Sequence, residues 1–182
     1  MNKYNKQNSF TLIELMVAIT VFGVVASIAF GAAASLVRHQ TEVSTTQNVM
    51  SNSSYAIEYM ERALRMAHRD DDGSCVDQSD TNYRLITVDH IRFLDYKDHC
   101  HEFLLEDGQI KEGVSSDDTD ANLGTPVALT SGNLQVSDLS FVITGDIDYR
   151  QPRVTTSFRI EDPNVGTGLF LQSTASQRNL NF

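Results

Sequence analysis

The sequence predicts an α+β protein: one long N-terminal helix followed by an antiparallel β-sheet that packs against it. Three observations carry that prediction. Residues 15–37 contain no charge, a seven-residue apolar recurrence runs on from them to Ala67, and beyond Cys75 the pattern changes to period two with turn punctuation. The 182 residues, 41% hydrophobic and 21% charged, suit one small globular domain plus an additional segment. Ten Gly and three Pro exclude collagen-like and proline-rich classes. Fourteen basic against twenty-four acidic residues, a formal charge of −10, argue against a broad nucleic-acid surface. Two cysteines are too few for a disulfide scaffold or a Cys-only structural zinc site.

The first element is the stretch LMVAITVFGVVASIAFGAAASLV, Leu15 to Val37, 23 residues long. As a helix it measures about 35 Å, enough for a hydrocarbon core of roughly 30 Å. Eleven of its residues are Leu, Ile, Val or Phe. Together they favour insertion by about 5 kcal/mol, more than the roughly 3 kcal/mol that one misplaced carboxylate costs. Glu14, at the mouth of the stretch, therefore does not prevent insertion. Lys3 and Lys6 precede it, so the positive-inside tendency places the N-terminus in the cytoplasm and the C-terminal body across the membrane; Arg38 on the far side weakens that bias. Three plain readings compete. The segment is a single-span anchor with Glu14 as an interfacial charge, a secretory signal cut near Ala32-Ala33-Ala34, or a buried helix of a soluble protein.

The helix is expected to continue to about Arg69. Leu36, Val43, Met50, Ile57 and Leu64 recur every seven residues, with Thr46, Ser53, Met60 and Ala67 between them, a narrow stripe that lies along one partner surface. Helix formers are dense in Ala56–Ala67, and Asp70-Asp71-Asp72-Gly73 ends the pattern. Strands follow. His90–Lys97 and His101–Glu106 read as two, and Asp107-Gly108 is a hairpin turn leading into Gln109–Val114. Leu134–Thr144 is rich in β formers, but its apolar parity shifts near Asp138, the mark of a bulge or bend. Val154, Thr156, Phe158 and Ile160 alternate with polar residues, and Leu169–Ala175 makes a last strand.

Little in the chain resembles catalytic chemistry. It has no nucleophile elbow, phosphate-cradling glycine loop, metallopeptidase helix or redox Cys-x-x-Cys pair, and the prediction is a protein that is not an enzyme. Cys75 and Cys100 fall in the part expected outside the cytoplasm. A disulfide between them closes a loop of about 26 residues and contributes roughly 3 kcal/mol, the alternative being two buried thiols. In His99-Cys100-His101 the imidazoles share one face of a strand and the thiol takes the other, so three metal ligands do not converge. The acidic runs Asp70–Asp72 and Ser116–Asp120 offer oxygen ligands for calcium without the spacing of a calcium loop. The expectation is therefore no cofactor, with calcium a minor alternative.

Ser9-Phe10-Thr11-Leu12-Ile13-Glu14-Leu15-Met16, set at the mouth of an apolar helix, resembles the prepilin signature of type IV pilins and type II secretion pseudopilins. With the helix, the resemblance covers about thirty residues. It implies cleavage between Ser9 and Phe10 by a prepilin peptidase on the cytoplasmic face of a bacterial inner membrane, followed by N-methylation of Phe10. The family usually has Gly before the cut, where this chain has Ser9, and many members carry Pro where this chain has Gly31. The implied fold is the pilin fold. The implied layout is a leader over 1–9, a membrane and filament-core helix over 10–37, its amphipathic continuation over 38–69 and a β-rich extracytoplasmic domain over 70–182. Glu14 is expected to meet the Phe10 amine of a neighbouring subunit and fix register, because a slipped subunit leaves a buried charge unpaired. Partners would be the inner membrane, the peptidase and other pilin or pseudopilin subunits, with no nucleic acid. Loss of Lys3 and Lys6 leaves 12 basic and 24 acidic residues, a mature charge of −12. The order of elements is similar to that of larger minor subunits, the J-type pseudopilin nearest. The contrasting expectation is a binding module exported on a simple anchor or a cleavable signal peptide.

Overall fold

The computed structural model describes residues 10–145 and 151–178. It divides into two compact units, Met1–Ser44 and Thr45–Phe182. Helix α1, Leu12–Met66, contributes to both. Its end at Met66, three residues before the expected one, reflects a short connection in which the His68 amide donates to the carbonyl of Leu94 instead of continuing the helical ladder.

In the first unit the apolar side chains point outward. Phe10, Phe22 and Phe30 are 88%, 73% and 77% exposed, and none of the most apolar stretch is buried by the described chain. The few hydroxyls satisfy themselves along the helix. Thr20 donates to the carbonyl of Val17, Ser27 to those of Gly23 and Val24, and Thr41 to that of Arg38. Such back-bonding lets a hydroxyl sit in an apolar medium without an unmet donor. Gly31, where a proline kink would fall, lies within the uninterrupted helix.

The second unit has two antiparallel sheets. The first has the order β1–β2–β3–β4–β5, from Tyr83–Thr87, His90–Leu94, Cys100–Glu106, Gln109–Val114 and Val127–Ala128. The second has the order β6–β7–β8, from Gln135–Thr144, Arg153–Asp162 and Thr167–Ser176. They meet where β6 crosses two hairpin tips: the Phe141 amide donates to the Val88 carbonyl and the Val136 amide to that of Gly108. The Asp107-Gly108 turn has φ of 53° and 71°, the paired positive values a two-residue hairpin requires. The parity shift near Asp138 is a bulge, with Asp138 at φ 55° and the β6–β7 register broken between Ser137 and Ser140.

One core joins both sheets to the C-terminal part of α1, including Met60, Leu64, Phe93, Phe103, Phe141 and Phe158. The buried seam of the helix is Val49, Ser53, Ala56, Met60 and Leu64, with Ala67 just beyond it. This corrects the seven-residue stripe. Met50 and Val43 are exposed, and Leu36 is too. A strict heptad line drifts about 20° per repeat on a straight helix, so Met50 has turned about 40° away from Leu64. Residues eleven apart, such as Val49 and Met60, are offset by about 20° in the opposite sense, and the buried seam mixes both spacings, keeping Ser53, Met60, Leu64 and Ala67 of the expected stripe.

The strand expected over 90–97 stops at Leu94. Buried Asp95 turns the chain by accepting the amides of Lys97 at 2.7 Å and His99 at 2.9 Å. Two strands had no clear sequence signal: β1, a five-residue run after a loop, and the two-residue β5. Cys75 and Cys100 form a disulfide, their sulfurs 1.96 Å apart, and pack with Val76 and Leu94 in a small second core.

Candidate processing and assembly site

The candidate site begins at the first turn of α1. The Thr11 hydroxyl lies 3.4 Å from the Glu14 amide, and Oε2 of Glu14 accepts both the amide and the hydroxyl of Thr11 at 2.9 Å. This is a reciprocal capping box, Thr at the cap and Glu three residues on. Sequence reading passed over it, although the Thr-x-x-Glu spacing of Thr11-Leu12-Ile13-Glu14 is its signature. The box gives Glu14 a structural role inside its own helix: it meets two donors and places a negative charge at the positive end of the helix dipole. The same carboxylate shares a helix face with Ile13, Val17, Ala18 and Val21, so it is the polar end of an apolar surface. Phe10, next to the cap, is almost fully exposed. Ser9 lies outside the described residues, as do Lys3 and Lys6.

The second unit brings its titratable residues into internal pairs. On the outer face of the first sheet, Glu102 Oε2 is 2.9 Å from His90 Nε2 and 3.3 Å from Arg92 Nη2, and Arg92 Nη1 donates to Asp120 at 2.7 Å. The His90 hydrogen bond, helped by Arg92, holds the Glu102 carboxyl below the usual carboxylate range. Gly113 makes room for this group, since a Cβ there would lie 2.8 Å from Glu102. On the opposite face the Tyr59 hydroxyl donates to Glu112 at 2.9 Å. Burial and the adjoining carboxylate push the Tyr59 phenol up to about 12. His101 lies between Glu112 and Asp95, 3.3 Å from each. It takes the face opposite Cys100, as strand alternation requires.

The acidic runs build loops. Buried Asp70 accepts the amides of Gly73, Cys75 and Val76 at 2.9–3.0 Å and so positions Cys75 for its disulfide. Asp117 accepts from Asn122 and Thr119, and the Asn122 contact lowers its carboxyl. Among the described residues, no three His, Cys, Asp or Glu side chains are grouped as a metal site.

A membrane-length apolar helix with a capped, acidic first turn, followed in the chain by a mixed domain, fits a membrane-anchored protein. Residues 4–30 match the family model for the prokaryotic N-terminal methylation motif. The chain thus carries the prepilin-type cleavage and methylation motif of type IV pilins and pseudopilins, which points to a processed, pilin-like subunit. No curated protein sequence matches the chain, and no solved structure does.

Proposed function

We propose that this protein is a structural subunit, a minor pilin or pseudopilin, of a type IV pilus-like or type II secretion filament. Residues 1–9 are its leader, removed between Ser9 and Phe10 by a prepilin peptidase, and Phe10 is then N-methylated. Residues 10–37 hold it in a bacterial inner membrane and later form part of the filament core, residues 38–69 continue that helix, and residues 70–182 lie outside the cytoplasm. Its partners are other pilin or pseudopilin subunits, met through the N-terminal helix, and it needs neither a cofactor nor nucleic acid. A J-type minor pseudopilin is the nearest subtype. One observation carries the reading: the matched motif sits on an unburied apolar helix whose single early charge is Glu14.

The chemistry supports an assembly role. Cleavage before Phe10 creates an amine beside a carboxylate whose partners among the described residues are the hydroxyl and amide of Thr11. In a bundle of such helices, Glu14 of one subunit neutralises the Phe10 amine of the next, and a slipped register leaves both charges buried and unpaired. The disulfide supports placing the domain in an oxidising compartment. Glu14→Val tests the role. The variant is expected to insert normally in the membrane but to lose co-assembly with the other subunits of its system. Unchanged co-assembly contradicts the register role. An exported binding module on a plain anchor, the competing reading, predicts no effect of this substitution.

A further inference from the structure

His101 stands on β3 beside Phe93, its cross-strand partner, with the ring centroids 5.5 Å apart. A carboxylate faces each of its ring nitrogens: Asp95 Oδ2 is 3.3 Å from Nε2, and Glu112 Oε1 is 3.3 Å from Nδ1. All three side chains are nearly enclosed, the imidazole 12% exposed, Asp95 10% and Glu112 12%. The other contacts of these carboxylates come from neutral donors. Glu112 accepts the Tyr59 hydroxyl of α1, and Asp95 accepts the amides of Lys97 and His99. The Lys97 ammonium lies over the Tyr96 ring. Among the described residues, no Lys or Arg forms an ion pair with Asp95 or Glu112.

The charge of the ring decides how well this arrangement holds. A neutral imidazole has one donor and one acceptor, whereas an ionised carboxylate only accepts. The neutral ring therefore serves one neighbour and turns its lone pair towards the other. It also leaves two enclosed negative charges with no cation beside them, which is costly. The imidazolium offers a proton to each side and cancels one of the two charges. Nδ1 is buried and makes no hydrogen bond among the described residues, so its contact with Glu112 is electrostatic and depends on that charge.

We infer that His101 is a proton-operated latch, closed while its ring is charged, that ties the C-terminal part of α1 to the turn over residues 95–99. One side of the latch is Tyr59 with Glu112. The other is Asp95, whose captured amides shape the turn that leads into Cys100 and its disulfide. Histidine is the side chain that ordinarily changes charge between about pH 5 and 8. As pH rises through that range the ring loses its charge while both carboxylates stay ionised, and helix and turn lose their common partner. Two further histidines bear on this turn. His68 Nε2 lies 2.9 Å from Asp98, an exposed carboxylate that water can serve instead, and His99 interacts with Asp117. The latch lies within the second unit, so its success or failure is independent of the filament reading.

The test uses the full chain in detergent micelles and follows exchange of the Lys97 and His99 amides, corrected for hydroxide catalysis, at about pH 6 and about pH 8. Protection of both amides is expected to fall about tenfold over that interval. Glu112→Gln supplies Nδ1 of a neutral ring with a donor while Nε2 keeps Asp95, so protection in this variant is expected to stay constant. The ring nitrogen resonances of the parent protein give a reading that needs no variant: His101 is expected to carry two protons at about pH 6 and one at about pH 8. Constant protection in the parent, or a ring with one proton at about pH 6, overturns the latch. An equal fall in Glu112→Gln also overturns it and assigns the pH dependence to His68 or His99.

Discussion

The two units of this chain treat the same side chains in opposite ways. In residues 10–44 the phenylalanines and valines are on the outside, and the few polar groups are turned back onto their own helix. In the described part of the second unit Phe93, Phe103, Phe141 and Phe158 are inside, with Phe170 the exception, and buried carboxylates such as Asp70, Asp95 and Glu102 are paired with His, Arg or backbone amides. Glu14 and Glu112 show the contrast. Among the described residues Glu14 is met by Thr11, three residues away, whereas Glu112 is met by Tyr59, 53 residues away. The domain buries its apolar side chains within itself, while the apolar stretch of the helical unit is left uncovered by the described chain.

The sharpest way to break this comparison is to remove equal rings from each unit. Phe93→Ala is expected to destabilise the domain by about 3–5 kcal/mol, because the ring is fully buried between Tyr83, His101 and Phe103. Phe22→Ala should leave domain stability within about 0.5 kcal/mol. Urea unfolding in detergent, followed by the near-ultraviolet circular dichroism of the tyrosines, measures both. Replacing Cys75 and Cys100 together by serine ranks next, at about 3 kcal/mol on the same assay. Alkylation without reduction should find neither thiol in the parent protein.

Acid sharpens the comparison further. The folded state holds the Glu102 carboxyl below its ordinary 4.5 through the His90 hydrogen bond. The stability this confers is complete above about pH 4.5 and falls away as pH drops through the lowered value. Glu102→Gln should therefore lower stability at neutral pH and flatten its acid dependence, read as the urea midpoint between pH 3 and 7 (roughly the span over which carboxylates titrate). The smallest effect belongs to the first turn. Thr11→Ala removes the cap at a cost of about 1 kcal/mol to that helix end, visible as faster amide exchange at Ile13 and Glu14, with the domain untouched.

Much of this was legible because local chemistry dominates. The charge-free stretch announces its own solvent, Asp107-Gly108 allows little but a tight hairpin, and the parity change at Asp138 marks a bulge. What escaped reading depends on contacts far apart in sequence. β5 exists only because β4 offers it an edge, and β2 stops early because Asp95 is buried and captures two amides. The helix seam departs from the expected stripe at its upper end, where Val49 instead of Met50 faces the core, because a strict seven-residue line drifts round a straight helix. At the candidate site Phe10 and Glu14 were legible as a motif, whereas the Thr11 cap depends on the backbone geometry that turns its hydroxyl and amide onto Glu14.

The central claim is that the apolar helix is the assembling part of a processed subunit and that Phe10 becomes its new terminus. Mass spectrometry of the N-terminal peptide, on protein taken from membranes of the native host, tests this directly. The account predicts a peptide beginning at Phe10 with a methyl group on its nitrogen. A peptide beginning at Met1, or at Ser35 after loss of the helix, contradicts it.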